Sequence, residues 1–492
     1  MSDPLHDRDR LAAVLASAAE AATRYLVGID EERVHGGRVE EAAAAFGGRL
    51  PDHGDGSAAA LALLGEEGVA AATRSAGPRF FHFVTGGSTP AALGADWLAS
   101  ALDQNSFSWV SSPLGSRLEK VAVGWLKELF GLPASWGGVL TTGATMANFT
   151  GLAAARRWWA SEHGVDVDGD GFAGLPAVPI LTGGYVHASA VKAVGMLGMG
   201  RARVQRFSGD PAGRLDMAAL AEALKSLAGA PAIVIGSAGE VNAGDFDPIE
   251  AMVELAHANH AWLHVDGAFG LFARASSRAA KLARGVEGAD SVIADGHKWL
   301  NVPYDCGFAF VRDPELMHGA FQIAGPYLPV GTDERPSFAD FGPEASRRAR
   351  ALAVWATLKA YGRDGYREMV DRHLGLAQRV GAEVQAAPDF ELLAPIQLNV
   401  VCFRYRPPGA AEADLDELNR RLGAAILADG RVFYGTTVYA GNVAFRPAIS
   451  NWRTTEPDVD LIVAVARELG ESLAVSRRRP PGGRRPRGGP GG

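Results

Sequence analysis

The stretch ADGHKWL (294–300) closes an apolar run, SVIADGHKW (291–299), and puts a lysine directly after a strand, between histidine and tryptophan. Open α/β sheets keep their sites at the carboxyl ends of strands, so Lys298 stands where chemistry is done. Upstream by 32 residues, AWLHVDGAFG (261–270) carries Asp266 at the end of a second apolar run. One strand–helix–strand unit takes about 30 residues, and the spacing predicts that Asp266 and Lys298 emerge side by side from neighbouring strands. Alone, such a lysine is a solvated surface residue and such an aspartate a cap or an ion-pair partner. The pair together asks for a chemical reading.

Outward from this pair, further short apolar runs alternate with helical patterns: VLTTG (139–143), VPILTGG (178–184), PAIVIGSAG (231–239) and GFAFVRD (307–313). Apolar runs bounded by glycine and alternating with helices such as PIEAMVELAHANH (248–260) and RRARALAVWATLKAYG (347–362) predict a mostly parallel sheet covered on both faces. The fold class expected is α/β, with a large lobe over 80–375. A small C-terminal α/β lobe is expected over 376–476, containing LNVVCFRY (398–405) and VAFRPAIS (443–450). Residues 1–79 carry helical spacing at 8–26 and 57–74 and are read as an N-terminal helical segment. From Arg477 the chain reads RRRPPGGRRPRGGPGG, six arginines and no acid, a composition that cannot build a core; 477–492 is expected to be a disordered tail.

Bulk properties exclude several classes. At 492 residues the chain exceeds one ordinary core. Hydrophobic residues make up 47% and charged ones 21%, as expected of a globular protein in water. No run of about 18 apolar residues exists to span a membrane, and the charged start MSDPLHDRDRLA lacks a signal core. The net charge of -8 argues against nucleic-acid binding. Two cysteines, Cys306 and Cys402, fit a reducing cytoplasm rather than a disulfide framework, and no metal-ligand spacing is found.

A lysine and an aspartate at adjacent strand ends are what a pyridoxal-5′-phosphate (PLP) site needs. The lysine carries the cofactor as an imine, and the aspartate keeps the pyridine nitrogen protonated so the ring accepts electrons. Such a ring also needs its phosphate held. GGVLTTGATMANF (137–149) reads as strand, small residues and helix start, where backbone N–H groups and the helix dipole suit an anion and Thr145 can add a hydroxyl. Glycine and threonine also make ordinary helix caps. His187 begins the next helix in YVHASAVKA, where an imidazole is either structural or stacked on the cofactor ring as a flat surface and proton donor.

HVDGAF, DGHKWLNVPYDCG, GATMAN and VHASAVKA resemble segments of the group II PLP decarboxylases, which act on aromatic amino acids, histidine, glutamate or diaminobutyrate. FSWVSSPLGSRLEK (107–120), EVNAGDFDPI (240–249), SRRARALAVW (346–355) and FRPAISNWRTTEPDVD (445–460) are similar to further segments of that family. The resemblance implies PLP fold type I and a homodimer with shared sites. It implies that Lys298 is the imine lysine, Asp266 the pyridinium partner and His187 the stacking histidine. Ala144, Thr145 and His297 match phosphate contacts, Ala268 packs against the ring, and Phe83 and Thr85 line the substrate pocket. Phe107 and Ser346 match residues that relatives lend to the partner subunit, and Arg446 matches a basic residue of the small lobe. Two positions depart. Asp295 stands where many relatives have asparagine, and Glu240-Val241 replaces a Thr-Thr pair, leaving Asn242 as the nearby polar group for the cofactor.

The expected reaction is decarboxylation of an L-amino acid to its amine; Phe83, Phe107 and Trp109 point to an aromatic side chain, with ordinary core packing as their equal alternative. Many relatives return the proton to the substrate carbon from a loop tyrosine. Here Phe338 aligns with it, and Tyr327 or His187 are the remaining donors. Decarboxylation coupled to oxidative deamination is therefore the second reading. Transamination, retro-aldol cleavage and a non-catalytic binding protein follow it.

Overall fold

A computed structural model describes residues 3–323, 325–326 and 331–478 of the chain. Tyr327 and the tail from 479 lie outside them.

The large sheet has seven strands: β1 (Gly137–Thr141), β2 (Ile180–Thr182), β3 (Val204–Arg206), β4 (Ala232–Ser237), β5 (Ala261–Asp266), β6 (Ser291–Asp295) and β7 (Gly307–Val311). They lie in the order β1-β7-β6-β5-β4-β2-β3. All neighbours pair in parallel except β7, which runs antiparallel to both β1 and β6. The mostly parallel seven-stranded sheet expected from the apolar runs is present, in a layered α/β fold.

Strand side chains alternate between two apolar cores, because successive residues point to opposite faces. Val234, Leu263, Val265, Val292 and Phe310 join the core that holds Ala122 and Leu126 of the helix Pro113–Phe130. Ile233, Ile235, Trp262, Ile293 and Ala309 join the core beneath the helix Ala144–Ser161. Strands buried on both faces read as unbroken apolar runs, which is why they were legible. β3 was not among them: it sits at the sheet edge and buries only Val204.

The helix Ala351–Ala386 breaks at Gly362, whose φ of 60° suits glycine. Its first half packs Val354 and Leu358 into the large-lobe core; its second half gives Leu376, Val380 and Val384 to a separate core. That core backs a four-stranded antiparallel sheet of β8 (Phe390–Leu392), β9 (Phe403–Tyr405), β10 (Thr436–Tyr439) and β11 (Asn442–Phe445), ordered β10-β11-β9-β8. The last helix, Glu456–Arg478, takes in Arg477 and Arg478, two residues past the expected start of the tail. Helical hydrogen bonding continues there from a segment whose Val459, Ile462 and Val463 are buried. At the amino end, the helix Leu11–Gly28 buries none of its residues in the chain.

Candidate active site

β5 and β6 pair in parallel with Asp266 opposite Ile293, so Asp266 and the turn after β6 open at the same edge of the sheet. Lys298 lies in that turn, a wide-wound segment Gly296–Leu300 broken at Lys298 itself (φ −86°, ψ −106°). The turn is tied on two sides. Gly86 N–H donates to the His297 carbonyl at 3.1 Å. Trp299, fully buried, donates its indole N–H to His373 Nδ1 at 2.8 Å, and His373 Nε2–H donates to the Asn451 carbonyl at 2.9 Å. Any Cβ at Gly86 would collide with the Lys298 carbonyl, so this approach requires glycine.

Around Lys298 the expected residues converge. Its Nζ lies 4.0 Å from Asp295 Oδ2 and 5.7 Å from the centre of the Phe269 ring. Asp266 is buried, and its Oδ1 accepts the Ala268 N–H at 3.1 Å. His187 caps the helix Ala188–Met196. Burial pushes its pKa down, and the charges of Asp266, Lys298, Arg446 and Asp295 all act on it, which places five of these side chains in one electrostatic neighbourhood. Across the turn, His297 stacks on Tyr304 with ring centres 4.0 Å apart, and Tyr304 shares a 3.3 Å hydrogen bond with Thr85.

The helix Ala144–Ser161 starts against this cluster. Its cap is Gly143 at φ 136°, with no side chain closing the first turn. A Cβ there would meet His297 Cε1 at 3.3 Å. His297 Nδ1 lies 3.0 Å from Asp295 Oδ1, at ion-pair distance but without hydrogen-bond alignment, and both atoms are buried without a hydrogen-bond partner in the described structure. An uncapped helix start with the His297 ring beside it is a site for an anion. The residues gathered here fit PLP: Ala144, Thr145 and His297 would face its phosphate, Lys298 its aldehyde, Asp266 its ring nitrogen, and Ala268 would lie beside the ring.

The substrate side is more open. Phe83 is 59% exposed and buried Val84 follows it; both have left-handed backbones, at φ 57° and 60°. For a bulky and a β-branched residue this is strained, and such strain gathers at functional loops. The His82 ring lies 3.7 Å from the Phe83 ring, tilted by 38°, and His82 is held near pKa 4 by burial and by Arg446. The Arg446 guanidinium reaches the Val241 carbonyl at 3.5 Å, and Asn242 Oδ1 accepts the Thr437 hydroxyl at 2.7 Å.

Three expected residues have no described contact with Lys298, Asp266 or His187, and two of them, Phe107 and Ser346, are those expected to serve a partner subunit. Phe338 is buried in its own chain, with the Phe341 ring 6.3 Å away and the Arg347 guanidinium 5.8 Å from its ring; none of its described contacts is to Lys298, Asp266 or His187. Ser346 is exposed. Phe107 is half-buried, and its carbonyl accepts the Ala339 N–H at 3.1 Å. Sequence reasoning also missed a set of buried polar residues behind Asp266, chief among them Asn148 and His264. Both lie inside the quoted motifs, Asn148 one turn into the GATMAN helix and His264 two residues before Asp266. Only the packing of helix on sheet brings them together.

Residues 67–406 match the family model of the pyridoxal-dependent decarboxylase conserved domain. The chain is 29% identical to an aromatic-L-amino-acid decarboxylase of Bacillus atrophaeus, over 87% of this chain and 88% of that one. It is 31% identical to an L-2,4-diaminobutyrate decarboxylase of Rhizobium meliloti, over 88% and 86% of the two chains. Among solved structures, Oryza sativa TDC with PLP and tryptamine superposes with a TM-score of 0.87 at 26% identity, covering 96% of this chain and all of that one.

Proposed function

The chain belongs to the pyridoxal-dependent decarboxylase family, and from that premise we propose that its substrate is an L-amino acid with an aromatic side chain, converted to the amine and CO2. Amino-acid decarboxylation with PLP as cofactor is the activity of its relatives and of this carboxy-lyase. The observation that carries the site is Asp266 and Lys298 at the ends of adjacent strands, beside an uncapped helix start.

When bound, PLP supplies an electron sink for the bond that breaks. The chain's own residues bind, orient and move protons. Lys298 would hold the aldehyde carbon, Asp266 would hold the proton on the ring nitrogen, and His297 with the helix start would anchor the phosphate. His187 Nδ1 accepts the Ser189 N–H at 3.2 Å, so its ring proton sits on Nε2. From there it can be given to the substrate carbon once CO2 has left. Phe83 and Phe107 support an aromatic substrate: one is exposed and one half-buried, rather than both sealed in the core.

A second reading rests on Phe338. A phenyl ring cannot donate a proton, and oxygen could then trap the carbanion. Amino acid, O2 and water would give aldehyde, CO2, ammonia and peroxide.

The assembly proposed is a homodimer. Support comes from the helix Leu11–Gly28, unburied and bearing exposed Leu11, Leu15 and Val27, and from exposed Ser346. Among the described residues no helix is long and apolar enough to cross a membrane. Two free, buried cysteines support a cytoplasmic site.

The test is product stoichiometry under air, with the twenty amino acids, DOPA and diaminobutyrate as substrates. Amine equal to CO2 from an aromatic substrate is expected. Peroxide equal to CO2 would establish the second reading, and CO2 from diaminobutyrate alone would overturn the aromatic one.

A further inference from the structure

Behind Asp266 runs a line of buried hydrogen bonds that the reaction described above does not use. Asp266 Oδ2 accepts the Asn148 amide N–H at 2.9 Å. The same amide nitrogen donates to Ser189 Oγ at 3.3 Å. Asn148 Oδ1 lies 2.8 Å from His264 Nε2. His264 Nδ1 lies 2.7 Å from Ser291 Oγ, which accepts the Trp262 indole N–H at 3.0 Å. Asn148, His264 and Ser291 are fully buried and Trp262 nearly so.

The chemistry of these groups allows one direction only. An indole N–H can only donate. Ser291 therefore accepts from Trp262, and its own buried hydroxyl proton has one described acceptor, His264 Nδ1. Burial holds His264 near pKa 4, so the ring is neutral and carries a single proton. With Nδ1 accepting, that proton is on Nε2 and is donated to Asn148 Oδ1. The amide orientation is thereby set, with its NH2 facing Asp266 and Ser189. Ser189, receiving an N–H at its oxygen, gives its hydroxyl proton to His187 Nδ1, 2.7 Å away. The line that starts at Trp262 thus ends at both functional side chains.

We propose that His264 and Asn148 are positioning residues: through one directed line of donors they present an N–H to Asp266 and turn the Ser189 hydroxyl toward His187 Nδ1. Reversal of any member would put a carbonyl oxygen against the Asp266 carboxylate, or would leave a buried donor unsatisfied. The inference rests on the reading of Asp266 and Lys298 as the PLP site.

The experiment compares His264→Phe with His264→Gln, whose amide N–H can still reach Asn148 Oδ1. Two readouts are taken without substrate: the PLP dissociation constant of the folded apoprotein, and the ring-nitrogen NMR shifts of His187, assigned by its substitution. In His264→Phe, PLP binding should weaken roughly tenfold, and the His187 ring-nitrogen shifts should move as the Ser189 hydroxyl loses its fixed donor. His264→Gln should restore most of both. Wild-type affinity with unchanged His187 shifts in His264→Phe would overturn the proposal. Should that variant fail to fold, Ser291→Ala removes only the hydroxyl that fills His264 Nδ1. The His187 shifts should then move, and their constancy would overturn the proposal equally. Lys298→Ala separates this inference from the reading beneath it. If that variant binds PLP as wild type does, with the same absorbance, the site itself is misassigned. If it does not, while His264→Phe behaves as wild type, only the line of donors is wrong.

Discussion

Asp266 has one oxygen occupied by the Ala268 N–H and the other by Asn148. Its proposed task is to offer charge to a ring nitrogen, which an amide cannot do. Asp266→Asn should therefore lower turnover roughly 100-fold or more while leaving the fold intact, as measured by steady-state rates alongside circular dichroism. Near-normal activity would make Asp266 a structural residue. The Asp266–Lys298 pair was readable because strand ends with fixed spacing announce themselves in one dimension. Asn148 and His264 were not. Their partners lie 116 residues apart along the chain, and an asparagine inside a helix carries no local mark of what it faces. Phe338 was legible as a departure in residue type, but its burial against Phe341 and Arg347 was not.

At the scale of elements, one buried ion pair ties the first strand to the helix Pro113–Phe130 and to the segment that leads into the helix Ala351–Ala386. Arg347 and Glu119 side chains are each 2% exposed and lie 2.6 Å apart. Glu119 Oε1 also accepts the Leu140 N–H of β1, and Arg347 donates to the Leu140 and Ser106 carbonyls. Glu119→Ala leaves a buried guanidinium uncompensated and should cost about 3–5 kcal/mol. Denaturant unfolding should show a lower midpoint in that variant; an unchanged midpoint would mean that water or rearrangement relieves the charge. The central strands were legible because they are buried on both faces. The edge strand β3, and β8 and β10 of the small sheet, were missed for the opposite reason. β3 and β8 bury one residue each, and β10 buries only Tyr439. Such short half-exposed segments have no apolar run to read.

For the whole molecule, the fold class followed from alternation of buried strands with helices, whereas the assembly did not follow from any local pattern. A helix that buries nothing in its own chain, with leucines facing outward, is the structural argument for a partner copy. Sedimentation should give twice the 51.5 kDa chain mass, and an active monomer would contradict it. Everything above the level of the fold depends on PLP being carried at Lys298. Borohydride reduction of the PLP-loaded protein, followed by peptide mapping, tests that dependence directly. The label should fall on the peptide containing ADGHKWL, at Lys298, and should be absent from Lys298→Ala; a label on any other lysine, or none, would contradict the account.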